Sequence, residues 1–245
     1  NGIKMGEKLT TGREPTAIAR SQCYIGKAHW ASNGYFSGEV SSLKIYSGAM
    51  TPSQVAAAYQ TAFLFLEFYW DFTTGTGETG GTTYTDSIKG INATTKSDNG
   101  GALPQRSVTG VLMVGTVLHS STSTKGGFLE LALGGVIMGG PMTIEIVAQW
   151  NALNYYSRLF GCGNGEAQDT IGVCNVVASG QLRWGIHQGS ASKKAFSPST
   201  SDLVVGVRYH IVATVVGTTM ISYINGIKMG EELSGHEPNT MTRSQ

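Results

Sequence analysis

Residues 225–245 read NGIKMGEELSGHEPNTMTRSQ, and residues 1–22 read NGIKMGEKLTTGREPTAIARSQ. With one residue of gap, 14 of 21 positions are identical, and the offset is 224 residues at the front and 223 at the end. A self-match at a fixed offset is the mark of tandem repeats, and it has to be settled before any fold is assigned. The chain is therefore expected to be a window on a repeating array. Residues 1–60 then form the last part of one unit, and residues 61–245 form the first and central part of the next. The competing reading, a short duplicated hairpin inside one domain, fits less well, because the match runs through turn, strand and loop alike.

Both copies open on Asn-Gly, which suits a type I′ turn with positive φ at both central residues. Met220–Ile224 precedes the second copy of this turn and Ile227–Met229 follows it, giving strand, tight turn, strand. Working outward, short runs bounded by Gly, Asn, Ser or Pro recur along the chain. They are Cys23–Ile25, Tyr35–Ser47, Phe63–Phe72, Ile88–Thr95, Val111–Val117, Gly127–Leu133, Met142–Trp150, Arg158–Cys162, Thr170–Val177, Gln181–His187 and Arg208–Val215. In Tyr35–Ser47 the apolar members are Phe36, Val40, Leu43 and Ile45. One short helix is predicted near 50–59, with Thr51 as N-cap and Pro52 at the first helical position. Many short strands and almost no helix predict an all-β, antiparallel two-sheet sandwich.

Charged residues make up 13% of the chain and the formal net charge is +1. That balance gives no basis for a nucleic-acid or anionic-membrane partner. No apolar run reaches the roughly 20 residues of a membrane span, so no membrane insertion is expected. Asn92-Ala-Thr94 is an N-glycosylation acceptor. The tracts 73–85 and 120–124 are rich in hydroxyls and suit O-glycans, or serve simply as polar loops. His29, His119, His187, His210 and His236 show no metal spacing, and Trp70, Trp150 and Trp184 read as core. Trp30, on a Gly/Ser/Asn-rich loop, is the one candidate sugar-stacking platform, against a packing role. Cys162 and Cys174 lie on consecutive strands and are the candidate disulfide. A hairpin folded about 166–167 nevertheless sets Cys162 opposite Ile171, so that bridge needs a bulge. Cys23 has no partner suggested by spacing and is either a buried thiol or an inter-unit link.

Taken in order, the segments WDF (70–72), MTIEIVAQW (142–150), YSRLFGCGNG (156–165), QLRWGIHQ (181–188), RYHIVATVVGTTMISYINGIKMGE (208–231) and YIGKAHWASNGYFSGEVSSLKIYSGAMTPSQVAAAY (24–59) resemble the laminin-G-like, concanavalin A-like jelly-roll superfamily. The resemblance implies a sandwich whose first and last strands lie side by side, with the short helix beside them. It implies little about function, since this fold hosts enzymes, lectins, adhesion modules and spacers. A rim calcium is one implication, with Asn164 and Asp169 as candidate ligands and Asn33 as a more distant one; the competing reading is an ordinary hairpin loop. Glycosidases of this superfamily set acids at i and i+4 on one strand. Glu67 and Asp71 are the only such pair here, on the WDF strand, while Glu130, Glu145 and Asp169 stand alone. The function expected is that of a non-enzymatic extracellular structural protein. Its tandem units would assemble with further copies of the same repeat, head to tail, into a rod or filament. The alternative is a glycan-binding adhesion module. Local pattern leaves open whether residues 1–60 pack on their own 61–245 or on a neighbour.

Overall fold

The computed structural model describes residues 18–30, 33–58, 66–73, 83–98, 100–107, 110–113, 126–133, 137–165, 169–188, 192–196 and 203–233. Its framework is two antiparallel sheets of eight strands face to face. The first runs in the order β18 (Ile227–Leu233), β17 (Thr219–Ile224), β16 (Arg208–Val216), β11 (Met142–Ala152), β3 (Ser37–Tyr46), β8 (Gly110–Met113), β7 (Gln105–Ser107). Strand β4 (Leu66–Asp71) pairs with the second half of β3, end to end with β8. The second sheet runs β15 (Ser192–Phe196), β14 (Leu182–Gln188), β13 (Ile171–Asn175), β12 (Arg158–Gly163), β2 (Gln22–Ile25), β9 (Gly126–Leu131), β6 (Asn92–Asp98), β5 (Thr83–Thr85). A two-stranded ribbon joins β1 (Ile18–Ala19) to β10 (Ile137–Met138).

The core follows from period-two alternation. On β11, Met142, Ile144, Ile146, Ala148 and Trp150 point inward. Trp70, Trp150 and Trp184 are all fully buried, as expected of core tryptophans. On β3, Val40 and Leu43 both face the core although they stand three positions apart, an odd spacing. A bulge resolves this: Ala148 pairs with Val40 and Val147 with Ser42, so Ser41 is the extra residue.

The helix α1 (Pro52–Ala58) begins as its sequence predicts. The Gln54 amide donates to Thr51 Oγ1 at 3.2 Å, and the Thr51 amide donates to Gln54 Oε1 at 2.8 Å, a reciprocal capping box. A two-turn helix needs docking to persist. Val55 supplies it by packing on Val212 and Tyr223, on the outer face of the first sheet. The Asn-Gly turn also forms as expected, with φ of 51° at Asn225 and 78° at Gly226.

Two expectations are corrected. The strand placed at Ile88–Thr95 runs from Asn92 to Asp98; residues 87–89 are a turn, and Ile88 is about half exposed. Asp86 wins that competition by accepting from the amides of Tyr69 and Lys89, while its carbonyl accepts from Gly90. The Cys162–Cys174 bridge does not form. Cys162 is indeed opposite Ile171, and on its other side β2 brings Cys23 directly opposite, so the disulfide joins Cys23 to Cys162 and Cys174 is a buried free thiol. Strand β15 was not anticipated. The turn at 1–6, the tract 120–124, His119, His236 and the side chain of Glu67 lie outside the described residues. Among the described residues no helix is long and apolar enough to cross a membrane.

Within this chain the early strands enter both sheets. Strand β2 sits between β12 and β9, and β3 sits between β11 and the β4–β8 edge. Both are central strands. Residues 22–46 therefore complete both sheets built by residues 66–233 of the same chain. Strand β4 pairs antiparallel with β3 from Ser42–Asp71 to Tyr46–Leu66, with a register shift between Ile45 and Tyr46.

Candidate functional site

Two polar constellations occupy the outer faces of the sandwich. The first centres on Glu145. Alternation on β11 sends Glu145 outward, away from Ile144 and Ile146. Register then places Lys44 of β3 beside it on one side and Val212 of β16 on the other, with His210 on the diagonal. Lys44 Nζ donates to Glu145 Oε1 at 2.8 Å and Tyr46 Oη donates to Oε2 at 2.7 Å. His210 Nε2 lies 3.2 Å from Oε1. Burial alone would raise the Glu145 carboxyl. The hydrogen bonds from His210, Lys44 and Tyr46 and the Lys44 charge overcome it and hold the group at about 2. Burial, then the Glu145 charge, drives the Tyr46 phenol upward. Beside this cluster opens a cavity of about 400 Å³ lined also by Val147, Arg208, Tyr209 and Asn225. Arg208 is paired with Glu39 and Ser41. The His210 amide donates to Asn225 Oδ1 at 2.9 Å, tying this face to the β17–β18 turn.

The second constellation lies on the outer face of the second sheet. Trp30 is half-buried there; the Arg158 guanidinium lies 4.6 Å from its ring centre and the His187 ring lies 4.9 Å away. His29 stacks against Tyr24 at 5.2 Å, and its Nε2 is 3.0 Å from the Gln22 carbonyl. Burial lowers the His29 imidazole to about 4, so the ring is neutral at pH 7.

The structure separates the proposed calcium ligands by duty. Asn164 Oδ1 accepts from the Ser21 amide at 2.8 Å and from the Ser21 hydroxyl at 3.2 Å. The Asp169 carbonyl accepts from Nε of the fully buried Arg20 at 3.0 Å. Asn33 belongs to the Trp30 loop, its amide donating to the Trp30 carbonyl at 3.1 Å. Among the described residues no group of three His, Cys, Asp or Glu side chains is arranged to hold a metal. Asn92 opens β6 as an exposed residue. Ala93 points into the core, so Asn92 and Thr94 share the outer face.

The acids proposed or dismissed for catalysis are placed as follows. Asp71 Oδ1 accepts from the amide and hydroxyl of Thr73 and shapes the end of β4. Glu130 is about half exposed, 3.7 Å from Lys96. Sequence reasoning left Glu145 alone on its strand. Its partners come from β3 and β16, which only the pairing register brings alongside. The outward alternation of Lys44 and Tyr46 was the one available signal.

A two-sheet antiparallel sandwich, with β3 central to one sheet and paired to β4 on its edge side, is the architecture of a jelly roll of the concanavalin A type. The chain belongs to the concanavalin A-like lectin/glucanase superfamily, whose laminin-G-type family model matches residues 122–244. No curated protein and no solved structure matches the chain. The family match does not cover β2 and β3, which the fold nevertheless places at the centre of its two sheets.

Proposed function

We propose that this chain is a non-enzymatic structural module of an extracellular tandem-repeat protein, with its units arranged as a rod or filament. The observation that carries the reading is the self-match of 1–22 with 225–245, joined to the central position of β2 and β3. A block equivalent to 66–233 needs a closing segment equivalent to 22–58. In a repeating array it has one such segment before it and another after it. The connection from α1 to β4 is residues 59–65. Where a neighbouring block is the one closed, so short a tether limits the freedom between neighbours. Closure from a neighbouring chain would link copies head to tail, and such contacts propagate as open filaments when they do not close into rings.

Two observations favour the extracellular, non-catalytic part. The Cys23–Cys162 disulfide suits an oxidising compartment. Asp71 and Glu145 have their carboxylates engaged in turn geometry and an outer-face ion cluster rather than set as a flanking pair. Electron microscopy of the parent material tests the proposal. An axial repeat matching one unit of about 224 residues supports it, and discrete monomers overturn it.

The second reading, a glycan-binding adhesion module, is favoured by the partly exposed Trp30 set among polar side chains. A saturable sugar affinity lost in Trp30→Ala would move the assignment there, with Asn92 as the N-glycan acceptor in either case.

A further inference from the structure

Three adjacent strands of the second sheet carry glycine at one level. Gly161 pairs with Gly172, and Gly172 pairs with Gly185. Their neighbours Cys162, Ile171, Val173, Trp184 and Ile186 all belong to the core, so the glycines floor a lane on the outer face. The lane is not simply bare. A Cβ at Gly172 would meet Arg158 Nη1 at 2.3 Å, so the Arg158 side chain is laid across it. Glycine leaves that room, and a side chain there would displace the guanidinium.

Arg158 is 7% exposed. Its Nε is enclosed without a hydrogen-bond acceptor. Among the described residues no carboxylate forms an ion pair with its guanidinium, which lies 4.6 Å from the Trp30 ring centre and beside the Cys174 thiol. Beyond Cys174, directly opposite on the next strand, stands a second arginine, Arg183, spread over Tyr156 at 5.3 Å. Strands β12 to β15 carry Arg158, Arg183, Lys193 and Lys194 and no Asp or Glu. A buried cation without a counter-charge is costly unless something anionic comes to it, and a neighbouring cation adds to that cost. A cation–π contact offsets part of it and holds the guanidinium plane in one orientation. The fork of N–H groups then matches the paired oxygens of an oxyanion.

We propose that the glycine lane is an oxyanion site, with the Arg158 guanidinium as the binding group, Trp30 as its backing and Arg183 as a supporting charge. The ligand class is a carboxylate or sulfate group, either free or carried on a sugar. The site does not depend on the array and stands whether or not the units polymerise.

The test uses the whole 245-residue chain. Sodium glucuronate and sodium sulfate are titrated separately, with ionic strength held constant by chloride, and the Trp30 indole N–H is followed by nuclear magnetic resonance. A saturable shift in the glucuronate arm alone assigns a sugar-borne carboxylate, in the sulfate arm alone a sulfate group, and in both arms the shared oxyanion chemistry. Arg158→Lys keeps the charge but not the fork and is expected to weaken binding about tenfold; Arg158→Gln is expected to abolish it. The absence of a saturable shift in both arms overturns the proposal. So does an Arg158→Gln chain that titrates like the parent. If Arg158→Gln does not fold, equal affinity of Arg158→Lys and the parent overturns it instead.

Discussion

At the scale of single residues, two titrating groups contribute to the acid side of stability in different pH windows. Burial lowers His29 to about 4 against an ordinary 6.5. The unfolded chain therefore takes up this proton first. The stability that His29 contributes is full above about pH 6.5 and is lost as pH falls toward 4. Replacing His29 with Asn should flatten that part of a urea-midpoint profile. Glu145 is held at about 2 against 4.5. Its contribution is full above pH 4.5 and is lost as pH falls toward 2. Glu145→Gln leaves Lys44 and His210 facing a neutral amide, and should cost roughly 3 kcal/mol at pH 7 but far less at pH 2.5. Urea unfolding at the two pH values checks this; an equal cost at both would contradict it. The sequence showed where Glu145 points but not its partners, since outward alternation is local while Lys44 and His210 arrive from strands far apart in the chain.

At the scale of elements, local chemistry was the more legible. Thr51, Pro52 and Gln54 fix the start of α1, and Thr51→Ala should lower stability by about 1 kcal/mol, read as a shifted urea midpoint at unchanged slope. Asn225-Gly226 fixes the β17–β18 turn. Strand β3 was legible as a strand, but its bulge at Ser41 was visible only as the odd spacing of Val40 and Leu43. Near the start of β3, a Cβ at Gly38 would fall 1.9 Å from the Gln149 carbonyl oxygen and 2.6 Å from the Phe36 ring. Backbone cannot swing aside as a side chain can. Gly38→Ala should therefore cost roughly 3 kcal/mol or more, seen as a large drop in melting temperature. Strand β15, SKKAF, escaped notice because it lacks an apolar alternation and gains its place from pairing with β14. Ile88–Gly90 misled for the opposite reason: its pattern suits a strand, but the Asp86 carboxylate organises the backbone into a turn.

At the scale of the whole molecule, the sandwich and its family were readable from segment order. The resemblance predicted that β4 and β3 would lie side by side, and they pair. The partner of Cys23 was not readable. Cys23 and Cys162 are 139 residues apart, and their meeting depends on β2 entering the second sheet between β12 and β9. Pairing over that distance is decided by closure of the whole core rather than by any local period. Within the chain-entropy account, a bridge closing so long a loop stabilises by about 5 kcal/mol. The same bridge reports which copy of residues 22–46 completes which sandwich. Peptide mapping of the non-reduced chain, after separation of monomer from larger species, is the most direct measurement. Closure within one chain predicts a Cys23–Cys162 linked peptide in the monomer, with Cys174 open to alkylation once the chain is unfolded. A Cys162–Cys174 link, or a Cys23–Cys162 link confined to dimers and larger species, would contradict it.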